Sequence, residues 1–281
     1  MPPDKIVLDE KGRPTGYYGK NLKYIPWDKC ETTGEIKTLE DLKWFTGLKL
    51  LDVRFNQLTD EYALHYGLKY PIAVNFQDKE LEEYIRELLK KPKGFILSWD
   101  LQDIEKIRIV GNTLVTEDRV HYTATGAFSY YGVDGKEYSW HECAKRGRIS
   151  TLKDMIWFTG LKDLYIRFNN LTSLDGIEYL NNIKYLDFCY NYINDIDALE
   201  NLPTVIESVE LNTNRIRDIS VFQRMDPYAV KTFVGLSYNN ITDITPLENI
   251  VLEFIYLAGN PIQKGQSTIK NLENRGIKIF K

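Results

Sequence analysis

The sequence predicts a β-rich solenoid of the α/β class, in which each repeat adds one short strand to a parallel sheet. Three observations lead to this prediction. A template of apolar residues with one asparagine recurs five times in succession. Its apolar residues alternate as they do along a strand, whereas a helix would show a period of 3.6. The segment that follows the asparagine also repeats, with the pattern Ile-x-Asp-Ile.

The template places apolar residues at positions one, four, six and eleven and asparagine at position nine. The first two asparagines, Asn169 and Asn191, lie 22 residues apart (191 − 169). Lys231 occupies the first apolar position of the fourth copy and departs from the pattern. The five copies run from Leu161 to Leu171, Ile183 to Ile193, Ile206 to Ile216, Lys231 to Ile241 and Leu252 to Ile262.

Each position of the template has a physical reason. Apolar residues that alternate along a strand point to one face, where they form the core, while their neighbours point outward. An asparagine at the place where the chain leaves the strand bonds to backbone groups through its side-chain amide. Stacked copies then form a ladder of asparagines beside a parallel sheet, and each repeat buries the apolar face of the next.

The phrases that follow three of the asparagines identify a type of repeat. They read INDI from residue 193, IRDI from residue 216 and ITDI from residue 241, and the last continues as ITPL from residue 244. With the short period, they make residues 73–281 resemble the bacterial internalin-type leucine-rich repeats. The resemblance implies a parallel sheet on a concave face and 3₁₀ turns on a convex face. It is specific for the fold and does not identify a partner.

The open ends of a solenoid need cover, and two segments are suited to provide it. An amphipathic helix is predicted in DKELEEYIRELLKKPKG, and a template match follows from Ile104 to Leu114. This order resembles an internalin N-terminal cap, which we assign to 73–114. In the C-terminal cap, 263–281, Ser267-Thr268 is expected to cap a short helix that stops at Gly276, before a last strand. Between the caps we assign a hairpin-bearing insert to 115–148 and the repeats to 149–262.

An internal duplication lies upstream of the repeats. Residues 27–59 align without gaps to residues 140–172 at an offset of 113 (140 − 27), and 19 of the 33 positions are identical. Each copy follows a stretch that predicts a β-hairpin, with an Asp-Gly turn in the second. Residues 1–72 are therefore predicted to be an N-terminal module docked on the solenoid. The alternative is one continuous solenoid with insertions.

Composition argues against two classes of partner. The formal net charge is −4, and Lys and Arg are spread along the chain, so no basic patch for nucleic acid is expected. No apolar run is long enough to span a bilayer, so no membrane partner is expected either. Three cysteines, an odd number, fit a reducing compartment. A cytoplasmic location is expected, or a secreted one if the sequence is part of a longer exported protein. The oligomeric state stays open.

Catalysis is not predicted. The three histidines do not form a nucleophile arrangement with a cysteine or an acid, and phosphate-binding and dinucleotide-binding motifs are absent. His141 precedes Cys143 by two residues, but the duplicated copy has Asp28 in place of the histidine. Packing is therefore favoured over zinc binding for this pair. We predict no catalytic residue, no cofactor and no metal.

Partner contact is predicted on the concave face, because template positions three, five and seven point outward from each strand. Exposed aromatic side chains with charges beside them are typical anchors and rims of protein interfaces. The aromatic residues at position eight either join this surface or only cover the turn. The predicted contact residues are Asp163, Tyr165, Arg167, Tyr185, Asp187, Glu210, Asn212, Phe233 and Tyr256.

A second candidate surface lies in the hairpin region of the insert, at Tyr130, Tyr131, Tyr138 and Trp140. A small aromatic core that holds the insert explains these residues equally well.

The leading hypothesis is a protein-binding scaffold that acts as an intracellular adaptor or inhibitor. The first alternative is an exported adhesin of the internalin type. A weaker alternative is an enzyme or a carbohydrate-binding protein that uses the aromatic band.

Overall fold

The structure is a computed structural model that describes most of the chain after residue 72. The described residues are 73–116, 121–122, 128–143, 145–202 and 205–281, with three strands in the first 26 residues. The rest of the predicted module 1–72 and the side chain of Trp140 lie outside the described residues. The chain divides into two compact units, Met1–Gln77 with Glu82–Asp103, and Asp78–Leu81 with Ile104–Lys281.

Strands and short helices follow one another along the chain. The strands are β1 (Ile6–Leu8), β2 (Pro14–Tyr18), β3 (Tyr24–Pro26), β4 (Lys106–Val110), β5 (Thr113–Leu114), β6 (His121–Tyr122), β7 (Phe128–Tyr131), β8 (Glu137–Ser139), β9 (Asp163–Arg167), β10 (Tyr185–Asp187), β11 (Ile206–Glu210), β12 (Val230–Gly235), β13 (Phe254–Tyr256) and β14 (Lys278–Phe280). The helices are α1 (Lys79–Leu88), α2 (Ser98–Gln102), α3 (Trp140–Cys143), α4 (Val221–Arg224) and α5 (Gln266–Asn274). In the residues that the structure describes, no helix combines the length and the apolar character that crossing a bilayer requires.

An eight-stranded sheet forms the main part of the second unit. Its strands lie in the order β14-β13-β12-β11-β10-β9-β4-β5. Neighbouring strands are parallel from β14 to β4, and only β5 runs antiparallel to its neighbour. The five template copies supply β9 to β13, one strand each. The predicted leucine-rich-repeat fold is therefore confirmed.

The apolar template positions form the core of this sheet. At position four, Leu164, Leu186, Val209, Val234 and Ile255 are each at most 1% exposed. Burying an aliphatic side chain of this size stabilises a protein by about 1.5–3 kcal/mol. The alternation that identified the strands is thus the alternation between the core and the opposite, open face of the sheet.

The predicted asparagine ladder is present, and Asn214 shows its geometry. Its Oδ1 accepts the backbone N–H of Ile193, in the preceding repeat, at 2.9 Å. Its Nδ2 donates to the carbonyls of Phe188, also in the preceding repeat, at 3.0 Å and of Leu211 at 3.1 Å. Equivalent acceptor bonds of 3.0–3.2 Å are made by Asn169, Asn191, Asn239 and Asn260. Each asparagine therefore joins its own repeat to the one before it.

The residue before each ladder asparagine has a left-handed backbone. The φ angles are 53° at Phe168, 59° at Tyr190, 59° at Thr213, 56° at Tyr238 and 74° at Gly259. This conformation is unfavourable for a residue with a Cβ atom. It turns the chain sharply out of the strand, so that the following asparagine reaches the carbonyls of two repeats. Template position eight is thus first of all a turn position.

The Ile-x-Asp-Ile phrases start the turns that lead away from the sheet. In the three phrases, Asp195, Asp218 and Asp243 each accept the backbone N–H of the residue two positions later, at 2.8–3.0 Å. The isoleucines on either side of each aspartate are at most 2% exposed. Three repeats then form the expected 3₁₀ turn, and the third repeat forms α4 instead. The 3₁₀ turns of the repeats are Ile177–Tyr179, Asp197–Asn201 and Thr245–Leu247.

The duplication extends into the two small antiparallel sheets, β1-β2-β3 and β6-β7-β8. In the first, Tyr17 pairs with Ile25, and in the second Tyr130 pairs with Tyr138. Both members of the pair are 113 residues apart between the copies (130 − 17 and 138 − 25), which is the offset of the aligned sequences. The shared Gly34/Gly147 also has a reason, because a Cβ at Gly147 would lie 2.3 Å from Asn169 Oδ1.

Both ends of the repeat segment contain the helices predicted there. Helix α1 begins after Asp78, whose Oδ1 accepts the N–H groups of Glu80 and Leu81 at 3.1 Å and whose Oδ2 accepts that of Ser150 at 2.8 Å. The predicted boundaries of the caps and of the insert stay predictions.

At the carboxyl end, α5 and β14 are present, but the expected cap residues are wrong. Gly265, with a φ of 99° and no side-chain hydrogen bond, precedes the helix, whereas Ser267 and Thr268 lie inside it. Thr268 is only 1% exposed. The helix ends as predicted at Gly276, with a φ of 84°.

We predict that Asn214→Ala lowers the free energy of unfolding by about 3 kcal/mol, because it leaves a buried N–H and two carbonyls without their partner. Urea unfolding followed by circular dichroism measures the loss. Asn194→Ala, at an exposed position of the same turn, is the matched control, with an expected change within about 0.5 kcal/mol. Equal losses in the two variants would contradict a structural role for the ladder.

Candidate binding surface

The open face of the main sheet is defined here as the side chains at template positions three, five and seven. The strand register arranges them in rows that cross the repeats. The first row contains Asp163, Tyr185, Ser208, Phe233 and Phe254. The second row contains Tyr165, Asp187, Glu210, Gly235 and Tyr256. The predicted contact residues therefore lie side by side on one face.

Buried ion pairs lie beneath this face. Arg108 donates to Asp163 Oδ2 at 2.7 Å, and both side chains are 9% exposed. Arg167 donates to Asp187 Oδ2 through Nε at 2.7 Å and also through Nη2. Asp163 and Asp187 are 6% and 1% exposed, so they support the face from below and offer little surface for contact.

Arg167 is the centre of this arrangement. Burial alone would lower its pKa, but the Asp187 carboxylate raises the pKa above the usual range of arginine. Nη2 also lies 4.0 Å from Glu210 Oε1, and Nη1 lies 3.4 Å from the Tyr130 hydroxyl. The guanidinium thus connects three strands of the sheet and the insert through one fixed positive charge.

The insert contributes a buried aromatic cluster more than an exposed surface. Tyr130 is 2% exposed and packs with Val110, Val115, Cys143 and Phe168, so it lies in the core and not on a second surface. Burial raises the pKa of its phenol, and Arg167 offsets part of that rise.

The other predicted residues of the insert are placed differently. Tyr138 is partly buried against the same cluster, and its hydroxyl donates to Asp134 at 3.0 Å. Tyr131 is 37% exposed. Trp140 stays a prediction, because its side chain lies outside the described residues.

A pocket of about 320 Å³ opens in this face. Ligand pockets start at about 300 Å³, so it has room for one or two side chains of a partner. Tyr130 from the insert contributes to its wall. Six of the nine predicted contact residues line it, namely Tyr165, Arg167, Tyr185, Asp187, Glu210 and Phe233.

The remaining predicted residues lie outside the pocket. Asn212 accepts the N–H of Ser237 through Oδ1 at 2.8 Å, so its amide fixes the next repeat. Tyr256 is 36% exposed and stacks on Phe280 at 4.6 Å between ring centroids. Tyr256 also meets Phe233 edge to face at 5.9 Å, so the aromatic row continues from the pocket to the last strand.

The aromatic residues at position eight differ in exposure. Phe168 stacks on Tyr190 at 4.2 Å, with the rings 10° from parallel, and Phe168 is 9% exposed. Tyr238 is 64% exposed and lies over Gly259, where a Cβ would come within 2.5 Å of its ring. Phe168 therefore covers a turn, while Tyr238 presents a ring to solvent.

One cluster in this region was not predicted from the sequence. The ligand atoms of Asp187, Cys189 and Glu210 lie within 4.8 Å of one another, as in a metal site. The Arg167 guanidinium already occupies the Asp187 carboxylate. Burial, followed by the two carboxylates, raises the pKa of Cys189 well above its usual range, so the thiol keeps its proton. The cluster suits an ion-pair network better than a cation.

These repeats define the class of the protein. One strand, one ladder asparagine and one return turn in each repeat make the chain a leucine-rich-repeat protein, and such solenoids generally present binding surfaces for other proteins. The family model described as leucine-rich repeats in two copies matches residues 159–201. No curated protein matches the chain.

Several bacterial proteins of known structure are similar to the chain. The internalin InlF of Listeria monocytogenes has 22% identity and a TM-score of 0.49, over 70% of this chain and 47% of its own. Internalin C2 of the same organism has 16% identity and a TM-score of 0.35, over 73% and 92%. A leucine-rich-repeat protein of Leptospira interrogans has 20% identity and a TM-score of 0.35, over 49% and 41%.

These likenesses concern the fold. The chain spans about half the length of InlF or less than half that of the Leptospira protein. The resemblance to internalin-type repeats that the sequence phrases indicated is confirmed.

We predict that Arg167→Met lowers the free energy of unfolding by about 3 kcal/mol, because it leaves the Asp187 carboxylate buried without its cation. Adding Asp187→Asn should restore most of the loss, since asparagine keeps the Oδ1 acceptor for the Cys189 N–H. Urea unfolding of both variants measures the effect.

The control for this prediction is Arg224→Met, which removes an exposed arginine paired with Asp197 and Glu200. Exposed ion pairs contribute about 0–1 kcal/mol, so a small change is expected. A loss for Arg167→Met no greater than that of the control would rule out a structural role for the buried pair.

Proposed function

We propose that this protein is a non-catalytic scaffold that binds another protein on the open face of its sheet. The observation that carries the proposal is the aromatic row on that face. Tyr185 and Tyr256 are 40% and 36% exposed on strands that the asparagine ladder holds in place. Large rings on a rigid backbone bury much area at little cost in conformational entropy, which makes them frequent anchors of protein interfaces.

The surroundings of these rings support the same proposal. The pocket beside Tyr185 is small for a cofactor but suits a partner side chain. Charged groups at its edge, such as Glu210 with a side chain 30% exposed, are typical of the polar rim of an interface. Such a surface selects a partner by its shape and charge, and it needs no chemical step.

The finer part of the proposal is a role as an adaptor or inhibitor in the cytoplasm. The three cysteines of the chain favour a reducing compartment. The internalin-type phrases favour the alternative, an exported adhesin. Fractionation of the native cells with an antibody against the chain distinguishes the two, since an adhesin would be found at the cell surface or in the medium.

The test of the binding face is the triple variant Tyr165→Ala, Tyr185→Ala and Tyr256→Ala. We expect capture of partners from native lysate to fall at least about tenfold, because interface anchors of this type each contribute more than about 1 kcal/mol. The melting temperature should change by only a few degrees.

The matched control is Tyr228→Ala, which removes a tyrosine that is 64% exposed and lies outside the strands. It should capture the same proteins in the same yield as the wild type. If the triple variant does so too, the open face is not the binding surface.

A further inference from the structure

A notch with two aromatic walls crosses the pocket. Ser208 on β11 is in register with Tyr185 on β10 and with Phe233 on β12, so a small residue lies between two rings. Neighbouring strands are about 4.8 Å apart, so the backbones that carry the rings are about 9.6 Å apart. Two van der Waals contacts of about 3.5–4.0 Å each fit within that width. The notch therefore has room for one extended or planar group between the rings.

An acid lies at one end of this notch. Glu210 follows Ser208 by two residues on β11, so both side chains point to the open face. All four residues line the pocket. The Glu210 side chain is 30% exposed, against 2% for Asp187, so it is the more accessible of the two carboxylates.

The charges around the pocket leave an excess of negative charge. Asp163, Asp187 and Glu210 supply three carboxylates, against the two guanidiniums of Arg108 and Arg167. Arg108 is matched by Asp163 and Arg167 by Asp187. Lys106 also comes within 3.5 Å of Asp163, but its side chain is 57% exposed and does not line the pocket.

We propose that this notch receives a lysine or arginine side chain of the partner protein. The inference rests on the proposed scaffold function. The aliphatic stem or the guanidinium plane lies over Ser208 between Tyr185 and Phe233, and the cationic end reaches Glu210. Aromatic faces attract a cation placed over them, and long basic side chains bury their stems while their charge stays paired.

Other occupants fit these residues less well. An acidic side chain would bring a fourth carboxylate to a site that already has three. A neutral aromatic side chain would fill the notch, but it would remove water from Glu210 without offering a donor, which is unfavourable for a charged group. Arginine suits the notch best, because its plane stacks between rings and its edge donates to a carboxylate.

The experiment is an NMR titration of the full chain with short probe peptides. The probe is acetyl-Gly-Gly-Arg-Gly-Gly-amide, and its matched neutral form has citrulline in place of arginine. One side chain gives weak binding, so we expect a dissociation constant in the range of about 1–10 mM for the arginine peptide. We expect binding about tenfold weaker for the citrulline peptide, because the charge is lost while the shape is kept.

Two variants locate the binding. Glu210→Gln should weaken the arginine peptide about tenfold, since it removes the paired charge. Ser208→Phe should abolish binding by filling the notch while it leaves Glu210 in place. Glu207→Gln is the control, because Glu207 lies on the same strand, pairs with Lys231 and does not line the pocket. Circular dichroism verifies that each variant is folded.

The proposal is overturned if the arginine and citrulline peptides bind equally, or if a glutamate peptide binds more tightly than both. It is also overturned if the arginine peptide shows no saturable shifts up to about 20 mM, far above the expected constant. These failures leave the scaffold function standing if the triple tyrosine variant still loses its partners. Loss of the scaffold function would instead be seen as unchanged capture by that variant.

Discussion

The buried asparagine of each repeat is the interaction on which the rest of the structure depends. Its amide accepts one N–H and donates to carbonyls of two repeats, so it satisfies backbone groups that a strand leaves unpaired where it ends. The left-handed residue before it places the amide there, and the favourable bonds offset that backbone strain. Strand positions on the open face follow from this, because each repeat is fixed to its neighbour by directional bonds as well as by packing.

The binding surface has a second support in the buried ion pair of Arg167 and Asp187. The guanidinium joins the sheet to Tyr130 of the insert, so an irregular segment and a regular one share a single charge network. A face organised in this way loses little conformational freedom when a partner binds, and that loss is one of the main penalties of association. The irregular insert thereby contributes to binding mainly through what it holds in place.

Much of the fold was predictable from the sequence, because period, ladder asparagine and Ile-x-Asp-Ile each report a local rule of backbone geometry. The site was predictable only in part. Alternation places Asp187 and Tyr185 on the same face, but it does not reveal that Arg167 covers one and leaves the other exposed. Tyr130 was ambiguous, because its burial depends on contacts with distant residues. The helix cap at Gly265 was missed since its backbone angle, and not a side chain, starts the helix.

The duplication shows which positions the fold keeps and which it allows to vary. Between the two copies, Leu51 matches Leu164 and Asn56 matches Asn169, so a core position and a ladder position are unchanged. Two positions on the open face differ: where the second copy has Asp163 and Tyr165, the first has leucine and aspartate. One chain thus contains two versions of the same unit with a common frame and different outward chemistry. New recognition can arise in such a protein by copying a unit and changing alternate residues of a single strand.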